Sequence, residues 1–185
     1  MNYDLKAGSS PFKDFHAPRW EELPSLDLYM DQLLSYLNEQ LAVFSEKDKP
    51  LLTSSMVNNY VKNSIVKPPV KKHYKSYHLA YLIVVVLMKQ CFSVAQVAEM
   101  IQIYSDIEEK DRLARDYDKF VTVFEDCLQD VFETGLCTKT YFENPTPEQD
   151  LMVDVIRTLA YKLSTEYKLA LIQESKTERT DSDEQ

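Results

Sequence analysis

The stretch TSSMVNNYVKNSIVKPPVKKHYK, residues 53–75, sets a helical pattern directly against a basic, proline-broken one. Thr53 is a suitable N-cap for a helix reaching about Asn63, because its hydroxyl can accept a bond from an orphan amide of the first turn. At about 100° per residue, Ser54, Ser55, Asn58, Asn59 and Lys62 share an arc of about 140°, while Met56, Val57, Tyr60 and Val61 occupy the opposite side. Amphipathicity is common to surface helices. A polar face of serine, asparagine and lysine without an acid is less so, and it matches what base edges and phosphates accept. After it, Pro68 and Pro69 forbid a helix, with the β-favouring pairs Ile65–Val66 and His73–Tyr74 on either side. This predicts a short hairpin or looped wing carrying Lys67, Lys71, Lys72 and Lys75 where a phosphate backbone can be touched. A plain solvated basic loop has the same pattern.

Charge sharpens the contrast. The 185-residue chain has a net charge of −9, yet from Lys49 to Ala98 it holds seven lysines and no Asp or Glu. That window is +7, so the rest carries −16. A global acidity that argues against nucleic acid is therefore reversed locally, and one part of the molecule is suited to face an anion.

Outward from this stretch the helical period recurs. Pro24, Ser25 and Asp27 are start signals for a helix bearing Leu28, Leu33, Leu34, Leu37 and Leu41, ending near Phe44. Residues 76–89 form a helix apolar on most faces, hence buried, and Ser93 caps a further short helix with Val94, Val97, Ala98 and Ile101 inward. Tyr117, Phe120, Val121, Phe124, Leu128, Val131 and Phe132 mark the next helix, stopped by Gly135. Thr146, Pro147 and Gln149 make a capped start for the last one, running to about Ile172. Its stripe of Met152, Ile156, Leu159 and Leu163 packs inside the protomer or, at this near-heptad spacing, forms a dimer seam. Tyr117, Phe120, Phe124, Tyr141 and Phe142 are expected in a core rather than in a ligand pocket.

Several classes are excluded. With only Gly8 and Gly135 there is no dinucleotide fingerprint or phosphate-cradling loop, and no nucleophile elbow or zinc-protease helix occurs. No cofactor is expected, and the protein is read as no enzyme. Cys91, Cys127 and Cys137 are too few for a disulfide framework, fit a reducing cytoplasm and are expected as buried or half-buried thiols. With His16, His73 and His78 they show no metal-ligand spacing. The apolar run Leu79 to Met88 is about half a bilayer span, and the N-terminus lacks an apolar leader, so neither membrane nor secretion is predicted.

The same stretch, with WEELPSLDLYMDQLLSYLNE before it and HLAYLIVVVLMKQCFSVAQVAEMI after it, resembles an uncharacterised domain family of Gram-positive bacteria over roughly residues 19–102. That family is one of unknown function. Its core in turn resembles the DNA-binding module of MerR-type regulators, which implies a winged helix-turn-helix. On that resemblance Val57 is the buried aliphatic of the recognition helix and Asn58 replaces its phosphate-binding arginine. Asn59 and Tyr60 replace its two aromatics, with Tyr60 inward. Ile65, Val66 and Pro68 lead into the wing, and Lys72 and Tyr74 stand on the return strand. Three departures follow: Ser64 replaces a helix-ending glycine, the wing is shorter by about four residues, and Asn58 lacks the arginine's charge-assisted contact.

The expectation is therefore a mainly α chain: a flexible arm over 1–18, a MerR-like winged helix-turn-helix with a small β-wing over 19–103, an acidic helical region over 104–173 for dimerisation or effector sensing, and a disordered tail over 174–185. The expected function is a homodimeric, DNA-binding transcriptional regulator using Ser54, Ser55, Asn58, Asn59, Lys62, Lys67, Lys71, Lys72 and Lys75 on double-stranded DNA. The alternative is a protein-interaction adaptor whose basic face meets an acidic protein.

Overall fold

The computed structural model describes residues 11, 12, 14–45, 49–105 and 112–183, the side chain of Ser105 and those beyond Lys176 excepted. Within these residues six helices follow one another: α1 (Met30–Gln40), α2 (Ser54–Lys62), α3 (Ser76–Met88), α4 (Val94–Ser105), α5 (Arg112–Thr134) and α6 (Pro147–Asp183). Single 3₁₀ turns lie at Trp20–Glu22 and Ala42–Phe44. Among the described residues there is no named strand, only the isolated antiparallel bridges Leu28↔Tyr74 and Val70↔His73. The small β-wing expected from the sequence is thus reduced to a tight turn closed by the Val70↔His73 bridge, with the Leu28↔Tyr74 bridge at its base. Two prolines leave few amides for a ladder.

Local signals place the helix ends. Thr53 Oγ1 accepts from the Met56 amide at 3.3 Å. Ser93 and Gln96 form a reciprocal capping box, as do Thr146 and Gln149. Gly135 ends α5 at φ 82°, its amide on Val131 O. At the end of α2, Ser64 does a glycine's work at φ 57°. The Ile65 amide reaches Tyr60 O at 2.9 Å and the Ser64 amide reaches Val61 O at 3.0 Å, the double closure of a Schellman motif. Ile65 and Tyr60, both buried, supply its apolar contact.

The core is organised around α3. Leu79, Leu82, Ile83, Val85, Val86 and Leu87 are all buried, so the helix needs cover on every side. α1 covers one side, and α5 and α6 the others. α5 packs chiefly on α6, and the stripe of Met152, Ile156, Leu159 and Leu163 is buried there within one chain. The stripe is therefore covered within the chain, as the intramolecular reading has it. The expected boundary near residue 103 does not divide the core, because buried residues from Phe12 to Leu163 form one cluster.

The described residues among 11–20 and 174–183 are placed otherwise than the sequence predicts. Residues 1–10 and 13 of the expected flexible arm lie outside the described residues. Phe12 is buried, stacking on Phe44 at 5.3 Å and meeting Phe132 at 5.2 Å, and Phe15 meets Phe44 at 4.9 Å. The next residues are sewn to α5: Arg19 forms a bidentate pair with Glu125, the Ala17 amide donates to Glu125 Oε1 at 2.7 Å, and the Trp20 amide donates to Asp118 Oδ1 at 2.7 Å. Aromatic burial and charge-assisted bonds thus outweigh the composition that read as mobile. At the other end, α6 passes Ile172 and runs to Asp183, where a disordered tail from 174 was expected. No proline or glycine interrupts it. Cys127 and Cys137 are buried with sulfurs 2.7 Å apart, burial pushing the Cys127 thiol up to about 12, and Cys91 is half-buried.

His78 ties the proline loop to α3. Buried beside Tyr77, its Nδ1 accepts from the Lys75 amide at 2.8 Å and its Nε2–H donates to Pro68 O at 3.3 Å. Accepting at Nδ1 needs the neutral ring, and desolvation holds its pKa below the ordinary value of about 6.5. A depressed histidine pKa adds stability that is complete above the unfolded-state pKa and is lost as pH falls below it. Urea midpoints should therefore decline as pH drops through about 6.5, and His78→Gln should lack that component; equal declines in both proteins would refute it. Independently, Ser64→Gly should stabilise by about 1 kcal/mol in thermal melts, the left-handed strain outweighing glycine's larger unfolded-state entropy.

Candidate nucleic-acid interface

The α2 polar face is presented as the sequence implies. Val57 and Tyr60 are buried, whereas Ser54, Ser55, Asn58, Asn59 and Lys62 are exposed. Their inward partners are held by α1, whose Asn38 side chain imitates a strand: its Oδ1 accepts from the Leu52 amide at 2.9 Å and its Nδ2 donates to Leu52 O at 3.0 Å. That pair fixes where the chain enters α2. The link from α1 to α2 spans residues 41–53, longer than the three or four residues usual in a helix-turn-helix. On the polar face, Asn63 Nδ2 donates to Asn59 Oδ1 at 3.0 Å and to Asn59 O at 2.8 Å, which holds the Asn59 amide in one orientation.

Where the sequence predicts a wing, the chain makes a two-residue turn. The Val70 amide donates to His73 O at 3.1 Å and the His73 amide returns the bond to Val70 O at 2.9 Å. Lys71 and Lys72 lie between them at φ 51° and 68°. Left-handed values at both central positions belong to type I′ hairpins, where Asn-Gly is preferred. Here both are lysines, each bearing a cost of about 1–2 kcal/mol relative to the right-handed region. His73 Nδ1 donates to Lys71 O at 2.8 Å and its ring lies 4.4 Å from that of Tyr29. The base of the turn is anchored where Leu28 and Tyr74 exchange amide–carbonyl bonds of 2.9 and 2.8 Å.

All nine candidate residues are exposed, Lys67, Lys71, Lys72 and Lys75 included. None of Lys62, Lys67, Lys71, Lys72 and Lys75 has an ion-pair partner among the described residues. The acids of α5 are engaged elsewhere, Glu125 with Arg19 and Asp126 with Lys139. The surface therefore keeps its positive charge, and it offers hydroxyl and amide groups on a helix beside cations on a turn. It holds no nucleophile–base pair, and no cluster of three or more His, Cys, Asp or Glu able to hold a metal ion occurs among the described residues. No helix there is long and apolar enough to cross a membrane.

Residue patterns missed two parts of this arrangement. The left-handed Lys71–Lys72 turn carries no glycine or asparagine to announce it. Asn38 and His78, which position α2 and the loop, act through contacts distant in sequence. No curated protein and no solved structure matches the chain. A family model described as a domain of unknown function, DUF1836, matches residues 18–120, more than half of the chain, and the chain belongs to that family.

Proposed function

We propose that this chain is a DNA-binding transcriptional regulator of winged helix-turn-helix type, with α2 as the recognition helix and the turn at 70–73 as the wing. In this reading Ser54, Ser55, Asn58, Asn59 and Lys62 approach base edges and phosphates in the major groove, while Lys67, Lys71, Lys72 and Lys75 contact the backbone. The observation that carries it is the Lys71–Lys72 turn. Two left-handed lysines side by side are costly, and such strain persists where it serves a function. Neither lysine has an ion-pair partner among the described residues, and α2 is exposed along its polar face. Asn58, standing where the resemblance has an arginine, makes this a modest-affinity contact.

The strain and the charge can be separated. Lys71→Asn/Lys72→Gly should relieve the turn, raising stability by about 1 kcal/mol or more. The same change should weaken retention of duplex genomic fragments by about tenfold, as charge-assisted contacts are lost. The slope of log K against log salt should fall by about 0.9 for each phosphate contact removed. Wild-type binding that is absent, insensitive to salt, or unchanged in the double variant would sink the DNA reading and favour an adaptor for acidic proteins.

A regulator of this kind meets paired half-sites as a homodimer. With the α5–α6 stripe consumed inside the chain, the remaining apolar surface on α6 includes Leu169 and Ile172, both 53% exposed and one turn apart. Leu169→Lys/Ile172→Lys should convert a dimer to a monomer in sedimentation analysis. A wild-type monomer at all concentrations would remove dimerisation from the proposal.

A further inference from the structure

A cavity of about 650 Å³ lies where α3, α4, α5 and α6 meet, on the side of α3 turned away from α1. Its size is that of a small-molecule site, a range of about 300–1,000 Å³. Tyr77, Ala80, Tyr81, Val84 and Met88 line it from successive turns of α3. Trp20, Tyr104, Tyr117 and Phe120 bring further rings. Tyr117 and Phe120 were expected in the core; both are buried, and both also face this space.

Its polar groups are few and mostly committed. The Tyr104 hydroxyl donates to Glu148 O, and the Tyr117 hydroxyl donates to Pro18 O at 2.6 Å. Arg112 Nε donates to Asp116 Oδ2 at 3.0 Å, so these two charges largely compensate each other. Among the described residues Asp116 is the one acid in the lining. Lys67 lies at the cavity's exposed rim and has no ion-pair partner among the described residues. The Tyr77 and Tyr81 hydroxyls have no hydrogen-bond partner there either, so the same lining holds two open donors and a single cation without an ion pair.

We propose that this cavity binds an amphipathic monocarboxylate, a medium-chain fatty acid or an arylalkanoic acid. Its apolar body lies along the Tyr77–Met88 face of α3, its carboxylate meets Lys67, and the tyrosine hydroxyls donate to it. Anions are favoured over cations because the described lining residues, Lys67 and Arg112 against Asp116, are one positive charge in excess. The apolar, ring-lined interior excludes small polar anions such as phosphate, which could not replace their hydration inside. Lys67 belongs to the basic surface as well, so a bound carboxylate competes with DNA phosphate for it. That consequence rests on the DNA reading; binding itself does not.

Trp20 is the sole tryptophan of the chain and lines the cavity, so ligand entry can be read without DNA. Decanoate titrated into the full chain should give a saturable change in Trp20 fluorescence, and decyltrimethylammonium, with the same tail and opposite charge, should give none. Lys67→Met should weaken decanoate binding about tenfold, a loss of about 1.4 kcal/mol. Val84→Phe, from α3, and Leu151→Phe, from α6, should each fill the space and abolish the signal, and a cooperative melt in either one suffices for the comparison. No saturable signal from folded wild type, equal binding of the cationic probe, or affinity unaffected by Lys67→Met or by the filled cavity overturns the proposal. Loss of DNA retention with decanoate binding intact would refute only the regulator reading.

Discussion

Almost no side of α3 is fit for water, and the rest of the fold answers that constraint. Nine of the thirteen residues in Ser76–Met88 are buried, and full burial of each large apolar side chain contributes about 1.5–3 kcal/mol. A two-helix unit cannot enclose such a segment, so α1 closes one side and the α5–α6 pair closes the others. This is why the basic and acidic halves share one hydrophobic cluster. It is also why the family match can end at residue 120, part-way along α5, without marking a structural boundary.

Electrostatic segregation survives that intimate packing because the acids nearest the shared core already have partners. Glu125 and Asp118 hold the N-terminal segment through Arg19 and two backbone amides. Asp126 pairs with Lys139, and Asp116 with Arg112. Each of these bonds ties α5 to itself, to the link that follows it or to residues 17–20, rather than to the lysines of the turn. Exposed lysine pairs would in any case contribute little to stability. Their arrangement bears on what the surface can attract.

The backbone tells a related story. In the stretch between α2 and α3, Ser64, Lys71 and Lys72 all adopt left-handed conformations that glycine or asparagine would adopt more easily. Ser64 is placed by the Schellman closure with Tyr60 and Ile65 beneath it, and the hydroxymethyl group brings no evident compensation. The lysines differ, since their charge is the chemistry of the surface. Strain at one site thus serves helix termination, and at the other it presents cations. His78 braces the segment that carries the lysine turn through Pro68 and Lys75, near the start of the helix that organises the core.

Much of this was legible in the sequence. Helix starts and stops followed Thr53, Ser93, Thr146 and Gly135 because capping is a local hydrogen-bond problem. The two faces of α2 followed from its period, and the basic window needed only counting. The α5–α6 apolar stripe was legible as a surface needing cover, though its spacing suits one chain or two equally well. Only the tertiary structure decided that it closes within the chain, that Phe12 and Phe15 dock on Phe44, and that Glu125 captures Arg19 from more than a hundred residues away. It alone decided that residues 71 and 72 turn left-handed and that the far side of α3 encloses a cavity. Each of these depends on which distant surfaces meet, and a local pattern states only what a residue would prefer to meet.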